Sequence, residues 1–562
     1  MSGTTLGAAR RLDWFPYAVA AITLVVAAIF LVYPILRSVL IAFIRPGEAI
    51  APENLTLGNF ERFLTSASYQ RALWNSIWSG AVSTLAATAL ALPMAYAVAR
   101  VAIPLRALIL ALSVMPLIAP PFIGAYAWIM LLGKNGMITQ LLNTYLGVSL
   151  PSIYGPVGVV VALTLSYFPY VFLIVQGALT TSDPAIEEAA KVMGASRWHI
   201  LRTITFPLVL PAVAAGMVVV FIKAIGDFGV PSILGGEFQV LPTLIYYQIH
   251  GFFNLNAAAA IAIVNVVLTI AALGLLGWVN RRRSHATITG ASRAAPRATG
   301  LGLRIAANLF CWAVLIAALL PQLVVFVASF VERWPGTLFP TVYGLSHYRS
   351  VATHLTQPII NSVVLSGTAT LLCVVFGTIT AYASTRDKIR AKWALDLTIM
   401  LPFVLPGLVV GVAYLTAFND GWLVLTGTGT ILVLAYFTRR VAFIFRSVAA
   451  AVGQVDRKIE EASTICGAGW GTTMRKITVP LIAPGILAGA TLVFATLIAE
   501  ISATVLLYAA PWKTIAIAIY EHVLGDELYK ASALGTVAMV MTLVLVLGAS
   551  KLAGRNMAEL FR

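Results

Sequence analysis

The sequence predicts an all-α polytopic membrane protein of about twelve transmembrane helices, arranged as two parallel six-helix repeats. Three observations carry that expectation. Hydrophobic residues make up 60% of the 562 positions and charged residues 10%, with mean hydropathy +0.92; a soluble domain has about 25% charged residues. Twelve long runs lack Asp, Glu, Lys and Arg. Polar and proline positions recur in two halves at constant offsets.

The runs justify the helices in order. Trp14–Leu36 is too long for a signal-peptide core and has no small-residue cleavage pattern, so it reads as a retained helix. Ala72–Ala99 and Ala107–Gly133 follow. Asn135–Ser182 holds a loop as well as a helix, because Pro151 and Pro156 break it. Thr203–Ile222 and Phe238–Asn280 complete the first six, with His250, Gly251 and Asn254 marking an aqueous edge. The second six are Ile305–Val331, Ser350–Thr385, Leu397–Asn419, Gly421–Thr438, Ile477–Ala499 and Ala531–Ser550. A bilayer core needs about 20 apolar residues, and these runs are too uniformly apolar for the alternating strands of a barrel.

Positive charge sets the orientation. With the N-terminus inside, segments 1–13, 100–106, 181–206, 281–304, 386–392, 453–476 and 551–562 hold 24 Lys and Arg against 8 in the outer segments. Both termini are therefore expected in the cytoplasm. Arg37, Lys223, Arg439, Arg440 and Arg446 lie within spans or at their ends. The net charge of +16 is divided among seven short loops, which excludes a nucleic-acid surface. Cys311, Cys373 and Cys466 have no CxxC spacing and suggest neither disulfides nor a metal site.

The halves match in detail. Asn75-Ser76 pairs with Asn361-Ser362, Ala95-Tyr96 with Ala381-Tyr382, and Pro116 and Pro120 with Pro402 and Pro406, all at offset 286. Beyond an outer loop that is longer in the first half, the offset becomes 273: Glu187-Glu188-Ala189 pairs with Glu460-Glu461-Ala462, Gly194 with Gly467, and Pro207 with Pro480. An even number of spans per half makes both enter the membrane in the same direction, related by an axis along its normal. The division expected is a first half 1–280, a flexible linker 281–304 rich in Ser, Ala, Thr, Gly and Arg, and a second half 305–562.

Two inner loops, about 181–206 and 453–479, carry one pattern: Glu188-Ala189-Ala190, Gly194 and Ile204-Thr205-Phe206-Pro207, then Glu461-Ala462-Ser463, Gly467 and Ile477-Thr478-Val479-Pro480. Asp183-Pro184 and Asp456 suit helix starts. Ala189, Val192 and Met193, or Ala462, Ile465 and Cys466, give each short helix an apolar edge, and the glycine can end it in the left-handed conformation. The pattern resembles the EAA loop, EAA-x3-G-x9-I-x-L-P, of permease subunits of binding-protein-dependent ABC importers. Ser463, Phe206 and Val479 are the departures.

That resemblance implies a type I ABC importer permease fold in a bacterial cytoplasmic (inner) membrane. It implies docking on two copies of an ABC ATPase, one loop each, and an extracytoplasmic binding protein that delivers substrate. The coupling residues would be Glu188, Ala189, Gly194, Pro207, Glu461, Ala462, Gly467 and Pro480. ATP would be bound by the partners and no cofactor by this chain, whose other surroundings are membrane lipids. The sequence has no GxxxxGK[ST], HExxH or GxSxG, so no enzyme is expected. A secondary transporter of parallel repeats is the rival from another class, and it would work without an ATPase.

Fusion of two halves resembles the permeases for iron(III). Gly226-Asp227-Phe228-Gly229-Val230-Pro231, Glu500-Ile501-Ser502-Ala503-Thr504-Val505-Leu506-Leu507 and Ile519-Tyr520-Glu521 are similar to the same group. Thiamine, phosphonate and polyamine are the alternative substrates. Four residues are candidates for the translocation path. Asp227 and Glu500 are equivalent at offset 273, each 20 residues beyond the loop proline in an otherwise apolar helix. They could coordinate a hard cation, bond to backbone as a gate, or, for Asp227, pair with Lys223 one turn earlier. Arg439 and Arg440 are expected near the inner end of a helix starting about Leu423, either snorkelling to lipid phosphate or facing the path.

Overall fold

The computed structural model describes residues 14–183, 185–282, 300–334, 340–386 and 392–552. The termini 1–13 and 553–562, Pro184 and linker positions 283–299 thus lie outside the described residues. Those described are almost wholly helical; their one sheet is a two-stranded antiparallel ribbon, Val331–Arg333 with Val342–Tyr343.

The first half runs through α1 (Ala18–Ala42), α2 (Ala67–Arg100), α3 (Arg106–Ile118), α4 (Pro121–Leu132), α5 (Pro156–Thr181), α6 (Arg197–Ile225) and α7 (Leu255–Arg282). The second runs through α8 (Leu301–Ala328), α9 (Thr356–Arg386), α10 (Lys392–Val404), α11 (Gly407–Phe418), α12 (Gly429–Gln454), α13 (Gly471–Ile498) and α14 (Leu528–Leu552). Among the described residues nine helices are long and apolar enough to cross a membrane. The stretches Arg106–Leu117 and Pro121–Leu146 bend by 96°, and Lys392–Pro402 and Gly407–Phe418 by 101°; these pairs raise the number to eleven if each makes one span. Prolines cause both bends: Pro116 and Pro402 lie inside the first helix of each pair, and Pro120 and Pro406 sit at the break.

The remaining expected span is α12, and its position corrects the sequence reading. It starts at Gly429, not near Leu423, because Gly421 and Gly427 take φ of +87° and +86° and turn the chain first. Its 26 residues are long enough to cross, but Arg439, Arg440 and Arg446 interrupt its apolar character.

The repeat is visible in the helix boundaries. Arg100 and Arg386 end α2 and α9 at offset 286, while α5 and α12 begin and end at offset 273. The extra residues between form a helix of their own, Met137–Leu146. Packing crosses the repeat. The leading helix α1 lies on the second half: Thr23 and Thr380 hydroxyls meet at 3.2 Å, Arg37 donates to the Thr416 carbonyl at 2.9 Å and pairs with Asp420, and Tyr414 donates to the Phe30 carbonyl at 2.8 Å. In exchange, α8 packs on α4 of the first half. The apolar cores enclosed between these helices hold α5 and α12 at the centre, including Phe168, Phe172, Tyr436 and Ile444.

Candidate functional site

The loop between α5 and α6 and its repeat between α12 and α13 each fold into one short helix, Ala185–Val192 and Arg457–Ile465. Asp183 accepts from the Ala185 amide at 2.9 Å and Asp456 from the Lys458 amide at 3.0 Å, so both acids satisfy backbone donors that a helix start leaves free. Gly194 and Gly467 end the helices at φ of +86° and +84°. The next amides bond back across the turn, Ala195 to the Ala190 carbonyl at 3.0 Å and Ala468 to that of Ser463 at 3.1 Å. This is the closure that a left-handed glycine permits.

Glu188, Ala189, Glu461 and Ala462 are exposed. So is the apolar edge: Val192 is 88% and Ile465 87% exposed, with Met193 and Cys466 beside them. Pro207 and Pro480 follow π-helical turns at Leu201–Thr205 and Met474–Thr478. A proline cannot donate to the preceding turn, and the wider turn sits where a regular ladder would break.

The motif singles out the second glutamate of each loop; the structure turns the first one inward. Glu187 Oε1 meets Arg100 at 3.3 Å and accepts from the Thr205 hydroxyl at 3.1 Å. Glu460 meets Arg386 at 3.4 Å and accepts from Thr478 at 3.0 Å and Tyr382 at 3.3 Å. Arg100 also donates to the Ser182 hydroxyl and Arg386 to the Val455 carbonyl, 273 residues on. Each short helix is thus tied to the end of α2 or α9 and to the start of α6 or α13. The signal was present in the sequence, since Arg100 and Arg386 repeat at 286 and Thr205 and Thr478 at 273.

At the other ends of α6 and α13 lie the two acids. They do not sit inside an apolar helix as expected. Both helices stop first, at Ile225 and Ile498, and each acid caps the short turn that follows. Asp227 accepts from the Val230 amide at 2.8 Å and Glu500 from the Ala503 amide at 3.2 Å. Their remaining oxygens differ in partner. Tyr167 of α5 donates to Asp227 at 2.6 Å. Arg439 and Arg440 of α12 hold Glu500 at 2.7 and 2.9 Å. Tyr167 and Arg440 are equivalent at offset 273, so one position supplies a neutral phenol in the first half and a guanidinium in the second.

The structure corrects two expectations. Arg439 and Arg440 sit at the eleventh and twelfth positions of α12 with largely buried side chains, paired with Glu500, and do not reach lipid phosphate from a helix end. Asp227 forms no ion pair with Lys223 among the described residues; its oxygens are taken by Tyr167 and Val230. The two acids bond within their own halves, each to a backbone amide of its own turn; no group of three or more His, Cys, Asp or Glu among the described residues is placed to hold a metal ion.

The two acid-capped turns meet where the halves touch. A β-carbon built on Gly226 would lie 3.1 Å from Pro406, and one on Gly229 would lie 3.6 Å from Ile501. Lys223 comes within electrostatic reach of Arg439, Arg440, Glu500 and Asp227. Three basic and two acidic side chains therefore share one intramembrane cluster, a placement that is energetically unfavourable unless the charges are paired or meet water.

Comparison with known proteins gives these features a family. Residues 87–285 and 373–553 each match the model described as the binding-protein-dependent transport system inner membrane component. The chain is 30% identical over 92% of its length, and 75% of the relative's, to the ferric transport system permease protein FbpB of Actinobacillus pleuropneumoniae. It is 30% identical over 86% of its length, and 76% of the relative's, to the "Putative ferric transport system permease protein FbpB 1" of Haemophilus influenzae. The molybdenum transport system permease protein ModB of Escherichia coli is 29% identical over 33% of this chain and 82% of its own. Duplicated helices, two glycine-terminated loops and two matches to one family model lead to the same place: the chain is a multi-span inner membrane permease with both halves fused, and it belongs to the permease family of binding-protein-dependent ABC importers.

Proposed function

We propose that this permease forms the translocation path for iron(III), delivered by an extracytoplasmic binding protein and driven by two copies of an ABC ATPase. The single observation behind the substrate is the 30% identity to a ferric transport permease over 92% of the chain. Both termini lie in the cytoplasm in this reading, as the 24-to-8 division of basic residues supports. The halves 1–280 and 305–562 then each offer one short helix to one ATPase, through the exposed edges at Val192–Met193 and Ile465–Cys466. The segment 281–304 joins them as a cytoplasmic tether.

Coupling follows from how the short helices are held. Glu187 ties its helix to α2 through Arg100 and to α6 through Thr205. Glu460 ties its helix to α9 and α13 in the same way. A movement of the ATPases is passed to α6 and α13, whose far ends lead into Asp227 and Glu500. The path runs between the halves at that level, with Asp227, Glu500, Arg439 and Arg440 on its walls.

The test is ATP-driven uptake of radiolabelled iron(III) by the complete complex in proteoliposomes. Uptake that requires both the binding protein and ATP is expected. Uptake of molybdate, thiamine, a phosphonate or a polyamine in its place would replace the substrate, and uptake without the ATPase would favour a secondary transporter.

A further inference from the structure

We propose that Lys223, Arg439 and Arg440 form an oxyanion-binding site at the centre of the membrane domain, where the two halves meet. The inference rests on the reading of this region as the translocation path. Its ligand is a small oxyanion, either free or as part of the oxygen-ligand shell around iron(III).

The acids of this cluster are already satisfied. Glu500 forms ion pairs with both arginines, accepting a hydrogen bond from Arg440, and accepts another from the Ala503 amide. Asp227 receives Tyr167 and the Val230 amide. Both carboxylates are engaged inside their own halves, so neither is arranged to receive a bare cation. The unused capacity belongs to the donors. A guanidinium has five N–H bonds, and Arg440 Nε is buried without a hydrogen-bond partner among the described residues. Lys223 forms no hydrogen bond or ion pair there; Gly226, three residues on, lies against Pro406, and the neighbouring Gly407 lies against the Arg439 guanidinium, with β-carbon positions 3.1 Å from each. A lysine amine without a partner beside two guanidiniums is favoured in its charged form by an added anion and disfavoured by an added cation.

The two repeats point the same way. The acid-capped turn after α6 is held by a neutral phenol, so the fold does not require guanidinium at this position. Where the second half has Arg439 and Arg440, the first has Ser166 and Tyr167; where the first has Lys223, the second has Thr496. The three basic residues are each present in one copy of the repeat only, stand on different helices of different halves, and lie where Gly226 meets Pro406 and Gly407 meets Arg439. Convergence of unrepeated charges is expected of a ligand site and not of a structural ion pair copied with the fold.

The chemistry selects the ligand class. Guanidinium presents a planar fork that matches the paired oxygens of carboxylate, phosphate or sulfate, and an ammonium adds a compact third contact. Tyr170 and Tyr436 lie within electrostatic reach of Arg440. The Tyr436 hydroxyl is committed to Thr504 at 2.6 Å, and the Tyr167 hydroxyl to Asp227 at 2.6 Å.

The experiment measures binding apart from transport. The full complex in phosphatidylcholine nanodiscs is titrated with radiolabelled sulfate at constant ionic strength, and separately with radiolabelled iron(III) citrate. The variant is Lys223→Thr, which installs the residue of the second half; Lys223→Gln is the alternative should that complex fail to assemble. Saturable binding weakened roughly ten-fold by either substitution is expected. Binding of sulfate alone assigns a free oxyanion, and binding of only the iron(III) citrate assigns the ligand shell. No saturable binding of either probe, or binding indifferent to Lys223, overturns the proposal. Sulfate binding that depends on Lys223 in a complex that takes up no iron would remove the iron reading and leave this site standing. Intact iron uptake without Lys223-dependent binding would do the reverse.

Discussion

The two halves agree at their loop ends and disagree at their centre. Arg100, Glu187 and Thr205 are reproduced by Arg386, Glu460 and Thr478, with bonds of 3.1 and 3.3 Å in one copy and 3.0 and 3.4 Å in the other. Twenty residues beyond each loop proline the acid is repeated and its partner is not: Tyr167 holds Asp227, while two arginines hold Glu500. A symmetric pair of loops suits two identical partners, one per loop. An asymmetric centre suits one ligand, which has no reason to obey the pseudo-two-fold. The difference separates what the fold needs, a capped break at the end of α6 and α13, from what has been built onto it.

The comparison is broken most directly at the acids. Glu500→Gln leaves two largely buried guanidiniums without their counter-charge, and a loss of about 3–5 kcal/mol is expected. Asp227→Asn leaves a neutral phenol with a neutral partner, and the expected loss is about 1 kcal/mol. Thermal unfolding of the two complexes in nanodiscs measures both. Equal losses would mean that the arginines are incidental to the break.

The loop ends should respond alike. Gly194→Val and Gly467→Val each force a β-branched residue to a positive φ, costing about 1–2 kcal/mol locally. We expect membrane insertion to be retained and uptake with substrate-stimulated ATP hydrolysis to be lost in the double variant. The single variants should be equally impaired; a large difference between them would show that the ATPases do not load the halves evenly.

Substitutions around the loops sharpen the assignment of the glutamates. Arg100→Met and Arg386→Met each strand a largely buried carboxylate, for about 1–3 kcal/mol of local stability, and should lower the ratio of transport to ATP hydrolysis. Glu188→Gln and Glu461→Gln alter exposed side chains and should leave thermal unfolding unchanged. A greater loss of stability from the exposed pair would reverse the roles given to the two positions.

The smallest change in volume is Gly407→Ala, whose β-carbon would lie 2.5 Å from Ser502 and 3.1 Å from the Arg439 guanidinium nitrogens. The first half has Pro121 at the equivalent position, offset 286, and Ser166 in place of Arg439, so a side chain is accommodated where no arginine lies against it. Overpacking should lower the stability of the Gly407→Ala complex by about 1 kcal/mol, read as an earlier thermal unfolding transition in nanodiscs. An unchanged transition would mean that Arg439 yields without loss and is not fixed by its place in the second half.

Much of this molecule follows from its chain because the determining physics is local. Apolar runs of bilayer length favour helices over any other structure in lipid. The two offsets specify a duplication, and Gly194 and Gly467 specify left-handed turns because only glycine takes that conformation without a steric penalty. Even the missed anchors Arg100 and Arg386 repeat in register, so a search for repeated charges would have found them.

What only the tertiary structure decided depends on which helix faces which. Nothing in the composition of α1 or α8 says that each packs against the opposite half, since a lipid-facing and a helix-facing apolar surface read alike. The uncharged run Gly421–Thr438 suggested a helix one turn and more too early, because absence of charge does not distinguish a glycine turn from a span. Partner choice was the least legible. Asp227 had Lys223 one turn away and took Tyr167 from 60 residues back; Glu500 had no cation nearby in sequence and took two from α12. A buried carboxylate bonds to whatever donor the packing brings within about 3 Å, and that distance is set by the assembled helices, not by the order of residues along any one of them.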